Sequence, residues 1–149
     1  MDASMSEIKD FLSRARGLKK EIEAAQDQIL ILRGMAERTT GTYQALRVSG
    51  TSEKSKLENA VLDIADLETE VAEKMARFRD AYKEIAAVID ALEDAKVRQL
   101  LTLRYLCFMT WEAVAEKMGY SYVHVVHRLH PKALRKIQDV IECNTSSVL

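Results

Sequence analysis

Two apolar series, each stepping only by three and four residues, constrain this chain more than any other feature. The first runs through Ile8, Phe11, Ala15, Leu18, Ile22, Ala25, Ile29, Leu32 and Ala36. An α-helix advances 100° per residue, so such a series lines a single stripe, the seam of a coiled-coil-like helix. The second runs through Leu57, Val61, Ile64, Glu68, Val71, Met75, Phe78, Tyr82, Ile85, Ile89 and Leu92, and only Glu68, with Leu67 beside it, breaks the pattern. Ser4 with Glu7, and Ser55 with Glu58, have the spacing of capping boxes at the two helix starts. Between the series, "TTGTYQALRVSGTSEKS" mixes two glycines with Thr and Ser and has no sustained period, which predicts a long connection over residues 39–55. Two such helices fold back most simply as an antiparallel hairpin. A two-helix hairpin is thin, so a homo-oligomer is expected, with a dimer favoured over a monomer that packs on its own C-terminal part.

A shorter pattern begins near Ala95, where Val97, Leu100, Leu101 and Leu103 supply apolar contacts. It breaks between Cys107 and Thr110, and Thr110 has the residue type of an N-cap for a following helix. The expected fold is therefore all-α: the hairpin over residues 1–94, a three-helix helix-turn-helix module over 95–142, and a tail over 143–149. One proline in 149 residues agrees with that reading.

Charge separates the two parts. Residues 96–137 hold eight cations against Glu112 and Glu116, a local charge of +6, while the whole chain carries -1. A cationic module on an acidic helical body points to a polyanion at one end only. No run of 18 apolar residues occurs, and the first seven residues are acidic, so a cytoplasmic chain with no membrane partner is expected. Cys107 and Cys143 form no C-x-x-C pair and read as reduced thiols, Cys107 buried and Cys143 exposed.

The module's chemistry lies in "TWEAVAEKMGYSYVHVVHRLHPKAL", residues 110–134. A helix-turn-helix needs a small residue where its helices cross and a turn residue that tolerates positive φ. Ala115 and Gly119 meet those needs four positions apart, with Val114 and Met118 facing the core and Trp111 covering it. With Val126 taken as the inward reference, Leu129, Ala133 and Ile137 face inward on a helical wheel. His124, Arg128, Pro131, Lys132 and Arg135 face outward, with His127 at the margin. A stripe of His, Arg and Lys at the start of a second helix suits a major groove. Arginine forks to guanine edges there while lysine holds phosphate. The DNA-contacting set is then Lys117, Lys132, Arg135 and Lys136 on phosphate, and Arg128, His127 and His124 on bases. Tyr120 and Tyr122 either touch the nucleic acid or pack in the turn.

His124, His127 and His130 invite a metal reading, but the wheel turns His130 inward, away from His124, and supplies no acidic or cysteine partner. His130 is expected at the core edge, bonded to a backbone carbonyl. No metal or other cofactor is expected. No nucleophile with a base at readable spacing and no phosphate loop is present, so an enzyme is not expected.

The run "RYLCFMTWEAVAEKMGYSYVHVVHRLHPKAL", residues 104–134, resembles the C-terminal module of small phage transcriptional regulators of the RinA and ArpU kind. Those are themselves similar to region four of bacterial sigma factors. The shared elements are Arg104-Tyr105-Leu106, Thr110-Trp111-Glu112, Ala115, Met118-Gly119-Tyr120-Ser121, His127-Arg128-Leu129-His130 and Ala133-Leu134. The resemblance implies a regulator that binds double-stranded DNA in phage or prophage gene control inside a bacterial host, activating late genes, with host RNA polymerase as a further candidate partner. Two other functions use the same parts: a DNA-packaging protein like a small terminase subunit, and a module that grips RNA polymerase or another host protein instead of DNA. Two departures from the family pattern stand out. One extra residue lies within "YVHVV", and Pro131 occupies a position that is usually small or polar. A helix starting near Tyr122 would lose the bond to the His127 carbonyl at Pro131 and bend there.

Overall fold

The computed structural model describes the backbone of residues 4–45 and 50–147 and the side chains of residues 4–38 and 55–144. All regular structure in the described residues is helical. Helix α1 spans Met5–Ala45 and α2 spans Gly50–Asp90. Helix α3, Ala95–Leu101, continues into a π-helical turn, Thr102–Leu106. Helix α4 is Trp111–Met118. Helix α5, Tyr122–His124, a second π turn, Val125–Leu129, and α6, His130–Ser147, follow one another without a break.

Several boundaries follow from side-chain chemistry. At the start of α1 the Ser4 amide donates to Glu7 Oε2 and the Glu7 amide to Ser4 Oγ, both at 3.2 Å, a reciprocal capping box. Asp94 caps α3 by accepting from the Lys96 and Val97 amides at 3.0 and 3.2 Å. Thr110 Oγ1 accepts from the Ala113 amide at 3.2 Å and opens α4.

Other boundaries differ from expectation. Helix reaches Ala45 and resumes at Gly50, so most of the connection expected over 39–55 is helical, and only residues 46–49 lie outside the description. Ser55 and Glu58 therefore sit inside α2, where the amides they would cap are already bonded along the helix. The tail expected from Cys143 is helical through Ser147.

The chain forms two compact units, residues 18–77 and residues 1–17 with 78–149. The division expected at 94/95 thus falls elsewhere, because the first turns of α1 and the last turns of α2 share one core with the C-terminal helices. In that unit Ile8, Leu12 and Ala15 from α1, and Ile85, Ile89 and Leu92, pack with Val97, Leu100, Leu101, Val114, Val125, Leu129, Ala133 and Ile137. Three short helices of a module this size have little apolar area to bury, and the added helix ends enlarge the shared core. The stripe on α1 runs through Leu12 instead of Phe11, which is only half-buried. Arg14 pairs with Glu84 at 3.2 Å on the surface of this unit, a contact worth less than about 1 kcal/mol.

In the other unit Ala25, Ile29 and Val71 are buried, with Ile22, Ile64 and Leu67 against them. Arg33 pairs with Glu68 at 2.6 Å, which explains why the second series tolerates a carboxylate there: the buried position is Leu67's neighbourhood, and Glu68 lies exposed beside it. Val61 and Met75, expected in the seam, are instead exposed, as are Leu30, Ile31, Met35 and Leu62.

Candidate nucleic-acid interface

The turn between α4 and α5 is built as the sequence suggests. Gly119 has φ 75° and ψ 26°, and its amide reaches back to the Ala115 and Glu116 carbonyls. Ala115 and Val114 are buried, and the Tyr120 amide donates to the Ala115 carbonyl at 3.1 Å. A Cβ at Gly119 would meet nothing within 4 Å, so only the left-handed backbone resists a side chain there. Gly119→Ala is accordingly expected to cost about 1 to 2 kcal/mol in urea unfolding without changing the fold.

After the turn Ser121 accepts from the His124 amide at 3.1 Å and caps the helix of residues 122–147. Within it the His130 amide donates to the Val125 carbonyl, the i to i+5 bond of a π turn. A π turn takes one more residue than an α turn, so it accommodates an extra residue without breaking the helix. It also spans His127, whose carbonyl Pro131 leaves without an i+4 donor, and the chain stays helical on both sides of Pro131.

The π turn resets the helical phase. Val125 is fully buried and Val126, expected to point inward, is only half-buried at the surface. Leu129, His130, Ala133, Leu134 and Ile137 then face the core.

The candidate DNA-contacting residues fall into separate groups. Tyr122, His127, Arg128, Lys132, Arg135 and Lys117 are exposed, and Lys136 is half-buried. His124 is half-buried, its ring 5.0 Å from that of Tyr120, while Lys96 Nζ lies 5.6 Å from the centroid of the same Tyr120 ring. His124 is thus packed beside Tyr120 and is less exposed than His127 and Arg128. Lys132 pairs with Asp94 at 3.4 Å, so it is partly neutralised at the start of α3. Asp94 is held below the usual carboxylate range chiefly by the Val97 amide, with the Lys96 amide and Lys132 adding to the effect.

His130 is buried, but its partner is a side chain and not the backbone carbonyl expected: Tyr105 Oη lies 2.7 Å from Nε2. Trp111 stands edge-on to the same imidazole at 4.5 Å. Burial first, then Lys9 and Arg104, pushes the His130 pKa down to about 4. Burial raises the Tyr105 hydroxyl to about 12. Among the described residues no three His, Cys, Asp or Glu side chains gather to hold a metal ion. Nor is any described helix long and apolar enough to cross a membrane. Cys107, expected to be buried, is exposed, since the chain leaves the helix there and Phe108 (φ 59°) takes the inward place, with ring centroids 6.2 Å from Phe78 and 6.4 Å from Tyr82. Cys143 is exposed.

No family model, curated protein or solved structure matches this chain.

Lys9 and Arg16 on α1 and Arg104 on the first π turn lie outside the set expected from the sequence, and with Arg135 of that set they line a cleft of about 610 Å³. The seven-residue spacing of Lys9 and Arg16 places both on one face of α1, but Arg104 and Arg135 lie far along the chain from them, so nothing local in the sequence joins the four.

Proposed function

We propose that the chain is a sequence-specific DNA-binding transcriptional regulator whose helix of residues 122–147 enters a major groove. The observation that carries this reading is the exposed set Tyr122, His127, Arg128 and Arg135 on one continuous helix, directly after a Thr110-capped helix and a left-handed Gly119 turn. Arg128 is the base reader, because it is exposed early in the helix and forms none of the ion pairs found there. Lys117, in the last turn of the preceding helix, and Arg135 hold phosphate. Lys132 and His124 contribute less, given Asp94 and Tyr120. Control of phage or prophage genes, and activation of late ones, rest only on the resemblance of residues 104–134.

We further propose that α1 and α2 form an antiparallel hairpin that assembles copies of the chain. The α1 to α2 pairs inside each unit, Arg14 with Glu84 and Arg33 with Glu68, fit that topology. Exposed Leu30, Ile31, Val61 and Leu62 supply an apolar surface for a second copy.

Selection of bound sequences from random duplexes tests both parts. An enriched motif with two-fold symmetry is the expected result. On that motif Arg128→Ala lowers the ratio of specific to random-sequence affinity at least about tenfold, which is about 1.4 kcal/mol. Lys117→Ala weakens both affinities and reduces the salt slope by about one unit. Binding that is insensitive to salt, with no enriched sequence, would sink the DNA reading.

A further inference from the structure

The 610 Å³ cleft is lined on one side by Met5, Lys9 and Arg16 of α1 and on the others by Arg104, Trp111 and the helix surface around Val126, Leu134 and Arg135. Its volume lies in the range of small-molecule sites, roughly 300 to 1,000 Å³. Four cations line it and no carboxylate does. That imbalance is unusual for a chain whose net charge is -1.

The arginines are also incompletely satisfied. Arg104 Nη1 donates to the Met109 carbonyl at 2.8 Å and its guanidinium lies 4.5 Å from the Trp111 ring centroid, which fixes the group in place. Its Nε, and Nη1 of Arg16, are buried with no acceptor on the protein. A buried donor without an acceptor is costly, and two like charges brought together add repulsion. Burial and the nearby Arg16 both lower the Arg104 pKa, so the two guanidinium groups do feel one another. An anion between them would supply the missing acceptors and the missing charge, while Trp111, Val126 and Leu134 offer apolar contact to whatever is attached to it.

We infer that this cleft binds a small organic anion, with a phosphate or carboxylate between Arg16 and Arg104 and an apolar body against Trp111, Val126 and Leu134. The site does not depend on the DNA reading, since its occupancy is measured without DNA. If that reading also holds, His127 and Arg135, which line the cleft, put the ligand within reach of the DNA-facing helix.

Trp111 is the only tryptophan in the chain, so its emission reports on the cleft directly. The full chain is titrated with phenyl phosphate, with inorganic phosphate and with phenol, exciting the indole selectively. Phenyl phosphate should give a saturable change at a concentration at least tenfold below that needed for either fragment. Arg16→Gln should weaken it at least tenfold, and Arg128→Ala, which is outside the lining, should leave it unchanged. Arg104→Gln also loses the Met109 contact, so Arg16→Gln, on a half-buried surface position, is the deciding variant. No saturable change, or an Arg16→Gln titration that overlays the parent, overturns the inference. It is equally overturned if a short DNA duplex, and not phenyl phosphate, perturbs Trp111 in an Arg16-dependent way, because the cleft then belongs to the nucleic-acid surface.

Discussion

Val125→Asn is expected to destabilise the protein by about 3 to 5 kcal/mol, while the same change one residue later, Val126→Asn, shifts stability by less than about 1 kcal/mol. Val125 is completely buried among the apolar side chains of the core, and Val126 lies half-buried at the wall of the cleft. The first substitution removes branched apolar contacts and places an amide where it finds neither water nor a partner. The second leaves its amide at the cleft, where solvent reaches it. Urea unfolding at constant m reads the difference. Equal costs, or a larger cost at Val126, would mean that the helix has no π turn between Val125 and Leu129 and that the phase of Arg128 must be reassigned.

That contrast marks where the sequence was legible and where it was not. Local chemistry could be read directly: the Ser4 and Glu7 box, the Thr110 cap and the positive φ at Gly119 each involve residues within four positions of one another. Each depends on a few φ and ψ values, not on the rest of the chain. The inward stripe of Leu129, Ala133 and Ile137 was also legible, since it begins at the end of the irregular turn and runs on along regular α-helix. The position of Val125 was not, because a wheel advancing 100° per residue has no place for an i to i+5 bond. The extra residue within "YVHVV" was the one local sign of it.

Long-range partners were hidden for a different reason. Nothing near His130 in sequence points to Tyr105, 25 residues earlier. Nothing near Arg104 points to Arg16 on the first helix. The shared core explains both, since Ile8, Leu12 and Ala15 bring α1 onto the C-terminal helices. Periodicity assigned Ile8 and Ala15, with Phe11 where Leu12 is buried, to a seam with α2, and it cannot say that the same stripe also covers a second set of helices. The extension of α1 and α2 into residues 39–45 and 50–55 shows the converse limit: Gly, Thr and Ser lower helix propensity, yet a long helix can continue through a weak stretch once it has begun.

Stability should fall by about 3 kcal/mol as pH drops from 6.5 to 4, and most of that loss should vanish in His130→Gln. The unfolded chain takes up a proton on this imidazole near the ordinary value of 6.5, whereas burial and the cations hold the folded group near 4. Above pH 6.5 neither state is protonated and the full stability is present. Between 6.5 and 4 the unfolded state binds more protons, so stability drops with a slope of up to about 1.4 kcal/mol per pH unit, levelling off below 4. The groups facing the imidazole are Tyr105 and Arg104 from the first π turn, Trp111 from α4 and Lys9 from α1, and none offers a negative charge to stabilise an imidazolium. Asp94 does not confuse the measurement, because its own pKa lies below 3.8 and its contribution is lost only at lower pH. Urea midpoints measured at intervals across the window decide the matter, and parent and His130→Gln curves that run parallel would overturn the assignment. Lys9 and Arg104 also line the cleft, so an anion seated there offsets the charges that help keep His130 neutral. Saturating phenyl phosphate should therefore raise the folded-state pKa and make the parent's slope shallower, while the His130→Gln slope stays as it was.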